Sequence, residues 1–172
     1  MSKSSNKKTT INKANTILGI DPGSTTIGYG VISYKDKSSK PIAVAYGYID
    51  LKQYSGQEER LVHLHKDLKE LFKKYKPDCI SIENVYFFKN AKTIIPVLQS
   101  KGVILLTAAL QKINIFEYTP LQVKQTITGA GRADKTFIQK IIQTSLNIKS
   151  DIKPDDASDA LAIAVCHLRH LT

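Results

Sequence analysis

Four carboxylates in this chain stand where they could act together. Asp21 closes the apolar run Ile17-Leu18-Gly19-Ile20, and Glu83 closes Cys79-Ile80-Ser81-Ile82. Asp156 and Asp159 are three residues apart in Pro154-Asp155-Asp156-Ala157-Ser158-Asp159, a spacing that sets both on one face of a helix. A charge ending a buried strand is costly without a partner. Three or four such groups brought together raise one another's pKa unless a cation neutralises them. An all-oxygen set suits Mg²⁺ or Mn²⁺ rather than zinc. Two such ions, about 4 Å apart, activate a water and stabilise the leaving oxygen of a phosphodiester, which is nuclease chemistry. Taken singly, each acid has a plainer reading. Asp21 reads as a turn cap before Pro22-Gly23, and the 155–159 cluster as ordinary acids in a helix's first turn. It is the set that argues for a metal site.

These acids have to be positioned by something. Residues 17–21, 28–34 and 41–51 read as strands of an antiparallel meander, with Pro22-Gly23-Ser24 as the first turn. Residues 58–75 carry Leu61, Leu64, Leu68, Leu71 and Phe72 at helical spacing, and Pro77 stops that helix. A strand at 79–83, an apolar helix at 93–111 interrupted at Gly102, and a strand at 113–118 follow. Polar, Gly-containing chain is expected over 119–134, then helices at 135–146 and 155–171. Strands first and strand–helix alternation afterwards predict an α/β fold, a mixed five-stranded sheet flanked by helices. Helix-linked strands run parallel to the first strand by the crossover rule. Asp21 and Glu83 then emerge on one rim, the C-terminal edge where α/β folds place their sites.

Composition bounds the rest. The 172 residues predict one domain. With 25 Lys and Arg against 15 Asp and Glu, the formal charge is +10. Residues 1–16 hold four Lys and no acid, so 17–172 keep 21 basic against 15 acidic residues. A basic body suits a polyanionic partner, although a merely soluble surface has the same composition. Residues 1–16 are expected to be a disordered basic tail before a domain at 17–172. Cys79 and Cys166 are expected to be buried reduced thiols of a cytoplasmic protein. No apolar run approaches the ~20 residues that span a bilayer, and no membrane partner is expected.

Four stretches carry a family resemblance: ILGIDPGSTTIGYGVI at 17–32, ISIENVYFFKNAKT at 81–94, QSKGVILLTAALQKINIFEYTPLQVKQTITGAGRADK at 99–135, and PDDASDALAIAVCH at 154–167. In that order they closely resemble the RuvC family, bacterial crossover-junction endodeoxyribonucleases (Holliday-junction resolvases) with a ribonuclease-H-like fold. The resemblance implies that Asp21, Glu83, Asp156 and Asp159 are the catalytic, metal-holding acids, with two Mg²⁺ per site and Mn²⁺ able to substitute. Asp155 is an extra acid relative to the family pattern. It leaves the third ligand between Asp155 and Asp156, and the spacing to Asp159 favours Asp156, with Asp155 facing water.

The resemblance extends to DNA contacts. Tyr86 falls where the family stacks an aromatic on a base near the crossover, and Phe87, Lys89 and Lys92 follow it in the same loop. Lys124 and Lys135 match family lysines near the active site. They flank Thr128-Gly129-Ala130-Gly131-Arg132, whose small residues let backbone amides approach phosphates and whose Arg132 offers a forked phosphate donor. Plainer readings are loop packing for the aromatics and a solvated face for the lysines. The family acts as a homodimer on a four-way DNA junction, nicks two strands symmetrically, and cooperates with the RuvA–RuvB branch-migration machinery. The helix around Leu98, Gly102, Leu105 and Leu106 is the candidate dimer surface, against simple intramolecular burial.

Two other enzyme classes open similarly. Actin-like ATPases and sugar kinases share an Asp-x-Gly-Ser-Thr loop, but need a second lobe that 172 residues cannot supply. Ribonuclease-H-like pre-ribosomal-RNA nucleases share the opening motif without the Tyr86 loop and the Asp-x-x-Asp-Ala-Leu-Ala ending. A junction-binding module with a dead site would lack a carboxylate, and none is missing.

Overall fold

Alternate residues of the first strand divide between two cores. β1 (Asn15–Asp21) sends Ile17 to one side of a sheet and Leu18 and Ile20 to the other. The computed structural model describes residues 15–36, 38–84, 91–131 and 133–171, with 91–93 by their backbone alone. Tyr86, Phe87, Lys89, Arg132 and residues 1–14 therefore lie outside the described residues, as does the side chain of Lys92.

β1 pairs antiparallel with β2 (Thr26–Tyr34), which pairs antiparallel with β3 (Ile42–Asp50). On its other side β1 runs parallel to β4 (Cys79–Glu83), and β4 runs parallel to β5 (Asn114–Tyr118). The order β3-β2-β1-β4-β5 is the expected mixed five-stranded sheet. Helices α1 (Gln57–Tyr75) and α2 (Ala91–Leu110) cover one face, where Leu64, Leu68, Phe72, Ile104 and Ala108 meet Leu18, Ile20, Ile80 and Ile82. The other face carries α3 (Pro120–Thr128), α4 (Lys135–Ser145) and α5 (Asp155–His170). α1 is amphipathic, acidic in its first turn and basic in its last, which suits the helix dipole. It ends on a left-handed Lys76 whose N–H donates to the Phe72 carbonyl.

Three local expectations need correction. The domain begins before residue 17, because Asn15 and Thr16 belong to β1. There the Thr16 N–H donates to Asp78 Oδ2 at 2.8 Å, and the Asp78 N–H returns a bond to the Thr16 carbonyl at 2.9 Å. α2 passes through Gly102 without a break, since the position is exposed and a Cβ there would meet nothing. The glycine is a gap in the helix surface and leaves the backbone ladder intact.

The third correction concerns 119–134, which contains α3. Thr119 and Gln122 cap each other's backbone N–H groups, Pro120 opens the first turn, and Gly129 closes the helix in the left-handed conformation at φ 74°. Val123 and Ile127 anchor its inner face. Cys79 and Cys166 are free thiols; Cys166 is buried as expected, whereas Cys79 is only half-buried, enough to push its thiol up to about 11.

Candidate active site

The parallel register of β1 and β4 brings their ends together: Ile20 pairs with Ile82, so Asp21 and Glu83 are the next residues out on adjacent strands. The third and fourth acids arrive on α5. This helix is buried along nearly its whole length, from Ala157 to Leu168, and it lies on strands stripped of side chains at the contact. A Cβ on Gly19 would strike the backbone of Ala160, and one on Gly28 the carbonyl of Asp156. Close approach of helix to sheet therefore requires glycine at both positions. It delivers the first two turns of α5, with Asp156 and Asp159, to the rim where β1 and β4 end.

The electrostatics report the meeting directly. Burial, then the charges of Glu83, Asp159 and Asp156, push the Asp21 carboxyl up to about 8, with Lys135 offsetting part of the rise. Glu83 is raised by burial and by Asp159, and relieved by Lys124. Asp159 is raised by burial too, while the bonded Lys135 pulls it back. All four acids are half-buried, so water screens them poorly. Among the described residues, no three of them are drawn close enough to form a finished cation cage. What they share is one another's field.

Among the described residues, Lys135 and Lys124 face this acid cluster. Lys135, the first residue of α4, puts Nζ 3.0 Å from Asp159 Oδ2 and 3.3 Å from Asp155 Oδ2. Burial alone would lower its pKa, but the bonds and charges of Asp159 and Asp155 more than reverse that and raise it. Lys124 rides on α3 next to the anchoring Val123. Glu83, Lys124, Lys135 and Asp159 line one open cavity of about 230 Å³, walled by Pro120, Val123, Ile138 and Ala162. Asp155 is exposed, as expected of a residue facing water, but it is also the second partner of Lys135.

α3 was the element missing from the sequence reading of this site. Its signal lay in Thr119-Pro120-Leu121-Gln122, a capping box with proline at the first helical position. A second omission is Lys101 of α2, whose ammonium is bonded to Asn84 and Glu117. Its signal was a single charge inside an apolar helix.

The family model for crossover junction endodeoxyribonuclease RuvC matches residues 17–167. A RuvC from Caldicellulosiruptor saccharolyticus is 46% identical over 152 residues, covering 88% of this chain and 91% of its own. One from Fusobacterium nucleatum is 45% identical over 155 residues, 90% of this chain and 80% of its own. Among solved structures, Thermus thermophilus RuvC in complex with a Holliday junction substrate superposes with a TM-score of 0.85 at 27% identity, covering 91% of this chain and 94% of that one. The fowlpox virus resolvase shares the fold, with a TM-score of 0.54 at 18% identity. Matches that run from β1 into the last helix leave one assignment: the chain belongs to the RuvC family of crossover junction endodeoxyribonucleases.

Proposed function

We propose that this junction-resolving nuclease hydrolyses its phosphodiesters at two divalent ions held by Asp21, Glu83, Asp156 and Asp159. The observation that carries the reading is the convergence of two parallel strand ends with the first turns of α5. The donors fit such ions. They are all carboxylate oxygens, half-buried, and burdened with like charge. Oxygen-only sites favour Mg²⁺, with Mn²⁺ as a substitute. When bound, the ions supply an activated water and a counter-charge for the departing 3′ oxygen.

The chain's own residues do the remainder. A phosphate entering the cavity beside Glu83 meets the ammonium groups of Lys124 and Lys135, which oppose charge developing on its oxygens. Tyr86 and Phe87 are assigned to stacking on unpaired bases, an interaction worth ~1–3 kcal/mol per base. Lys89, Lys92 and Arg132 are assigned to the backbone phosphates around them.

A second copy of the chain completes the enzyme. A four-way junction has equivalent strands, and two active sites related by a two-fold axis meet two of them. The outward face of α2 is the surface for that copy. Ile95, Leu106 and Leu110 on it are 52%, 58% and 64% exposed, and Gly102 leaves room for a neighbour's side chain. Among the described residues no helix is long and apolar enough to cross a membrane. The protein's place is the cytoplasm, alongside the RuvA–RuvB branch-migration complex.

The test is a synthetic mobile four-way junction incubated with Mg²⁺, with cuts mapped on every arm. Wild type is expected to cut at symmetry-related phosphates, and Asp21→Asn to bind the junction without cutting it. An Asp21→Asn variant that cuts at the wild-type rate would show that the metal assignment is wrong.

A further inference from the structure

Between Thr93 and Leu110 the sequence holds a single charged residue, Lys101, and it is only 8% exposed. An ammonium in such a place is costly unless it is matched and hydrogen-bonded. Lys101 Nζ lies 2.6 Å from Glu117 Oε2 and 3.0 Å from Asn84 Oδ1. Glu117 is 40% exposed, and an ion pair with one partner in water contributes little to stability. Stability alone therefore does not account for a lysine here.

The identity of its partners does. Asn84 directly follows Glu83. Glu117 directly precedes Tyr118, the residue in register with Glu83 on β5. The Asn84 N–H donates to the Tyr118 carbonyl at 2.7 Å. On the opposite side, the pairing of β4 with β1 ends at Ile20 and Ile82, one residue before Glu83. The backbone carrying the Glu83 carboxylate is thus secured from the β5 side, and Lys101 ties the next residue, Asn84, to that same side.

We propose that Lys101 is a positioning residue for Glu83: its ammonium, gripped by Glu117, holds Asn84 and so fixes the direction in which the Glu83 carboxylate leaves β4. The inference rests on the reading of Glu83 as a metal-holding acid. Outer partners that orient a ligand typically change metal affinity or activity by about 10–100-fold when removed. Lys101 acts at one remove, through Asn84 and the strand end.

Four variants of the full chain test it: Lys101→Met, which keeps the volume and removes the charge; Lys101→Arg, which keeps charge and donors; Asn84→Ala, which removes the acceptor and leaves the ion pair with Glu117; and Glu83→Gln as reference. For each, the cleavage rate of a four-way junction at saturating Mg²⁺, the Mg²⁺ concentration giving half that rate, and junction affinity without metal are measured. Lys101→Met and Asn84→Ala are each expected to cut about 10–100-fold more slowly and to need more Mg²⁺, with junction affinity within about twofold of wild type. Lys101→Arg is expected to recover most of the rate. If Lys101→Met does not fold, Asn84→Ala carries the test. Asn84→Ala at the wild-type rate and Mg²⁺ requirement overturns the inference, as does a loss confined to junction binding. Glu83→Gln separates the two readings. If it is inactive while Lys101→Met and Asn84→Ala are normal, only the positioning role falls. If it cuts normally, the metal assignment beneath it falls as well.

Discussion

The Lys135 ammonium stands 3.0 Å from the Asp159 carboxylate, so a side chain of the protein already balances an acid assigned to an ion. Lys135 is anchored twice, because Asp155, one helical turn before Asp159, lies 3.3 Å from the same nitrogen. Were a divalent ion to take Asp159, Asp155 would remain as a tether, keeping the lysine beside the cavity proposed to receive the phosphate. The extra acid of this chain has a use there, even though an exposed pair of this kind adds little to stability.

From this pairing, Lys135→Met is expected to separate metal affinity from turnover. Removing the lysine takes away a counter-charge, so the remaining acids bind a divalent ion more tightly and half-saturation falls to lower Mg²⁺. The phosphate loses its ammonium, and cleavage at saturating Mg²⁺ drops by about 10–1000-fold. Cleavage rates across a Mg²⁺ titration check both halves. A rise in the Mg²⁺ requirement would mean that Lys135 does not compete with the ion.

The Asp21 carboxyl sets a pH dependence of definite sign. Burial, with Glu83, Asp159 and Asp156 close by, holds it near 8 in the fold, against about 3.9 in an unfolded chain. Between about pH 4 and 8 the folded, metal-free protein keeps a proton that the unfolded chain has lost. Stability is therefore greatest at the acid end of this window and declines as pH rises through it. Glu83 and Asp159 are shifted the same way and reinforce the trend. Asp21→Asn is expected to flatten the profile, and Mg²⁺ to restore stability at high pH while displacing the proton. Thermal melts of wild type and Asp21→Asn, with and without Mg²⁺, measure this. A metal-free wild type that gains stability across the window would contradict it.

Gly28→Ala is expected to damage the site from outside it. The added methyl meets the backbone carbonyl of Asp156, so α5 has to lift or tilt. Overpacking of this sort costs about 1–3 kcal/mol, and a displacement near 1 Å at a reacting centre costs about 100-fold in rate. Denaturant melts and cleavage assays on the same preparation compare the two. A variant that is destabilised yet fully active would mean that the acids tolerate movement of the helix.

Leu106→Glu addresses assembly. Leu106 is 58% exposed on α2, so in an isolated protomer the change is expected to shift stability by less than about 0.5 kcal/mol. Between two copies it places a charge in an apolar contact. Sedimentation is expected to show a shift from dimer to monomer, and junction mapping a loss of paired cuts. A variant that remains dimeric and cuts in pairs would move the interface elsewhere.

How much of this was written in the sequence depends on how local each signal is. Asp21 and Glu83 were legible because a carboxylate ending a β-branched apolar run marks its own strand boundary, and the crossover rule then sets the two strands parallel. Asp156 and Asp159 were legible as neighbours on one helix face. α3 was not, because Thr126, Thr128, Gly129 and Gly131 give the stretch a loop's composition, and its two buried residues, Val123 and Ile127, are too few to establish a period. The role of Lys101 was hidden for another reason: the lone charge in an apolar helix was visible, but its partners are 16 and 17 residues away along the chain, and only the packing of α2 over the β4–β5 edge brings them together. Gly19 and Gly28 could be recognised as small residues, but not as the bed of a helix that touches them from 141 and 128 residues further along the chain.

β1 is the middle of five strands, laced to an antiparallel neighbour on one side and a parallel one on the other. Asp21 is thus mounted on the element with the most to lose from any opening, where amide hydrogens are expected to exchange last. The acids on α5 ride a helix that has to stay seated, and Glu83 hangs on a strand end held from one flank. A site assembled this way takes its fixed reference point from the central strand.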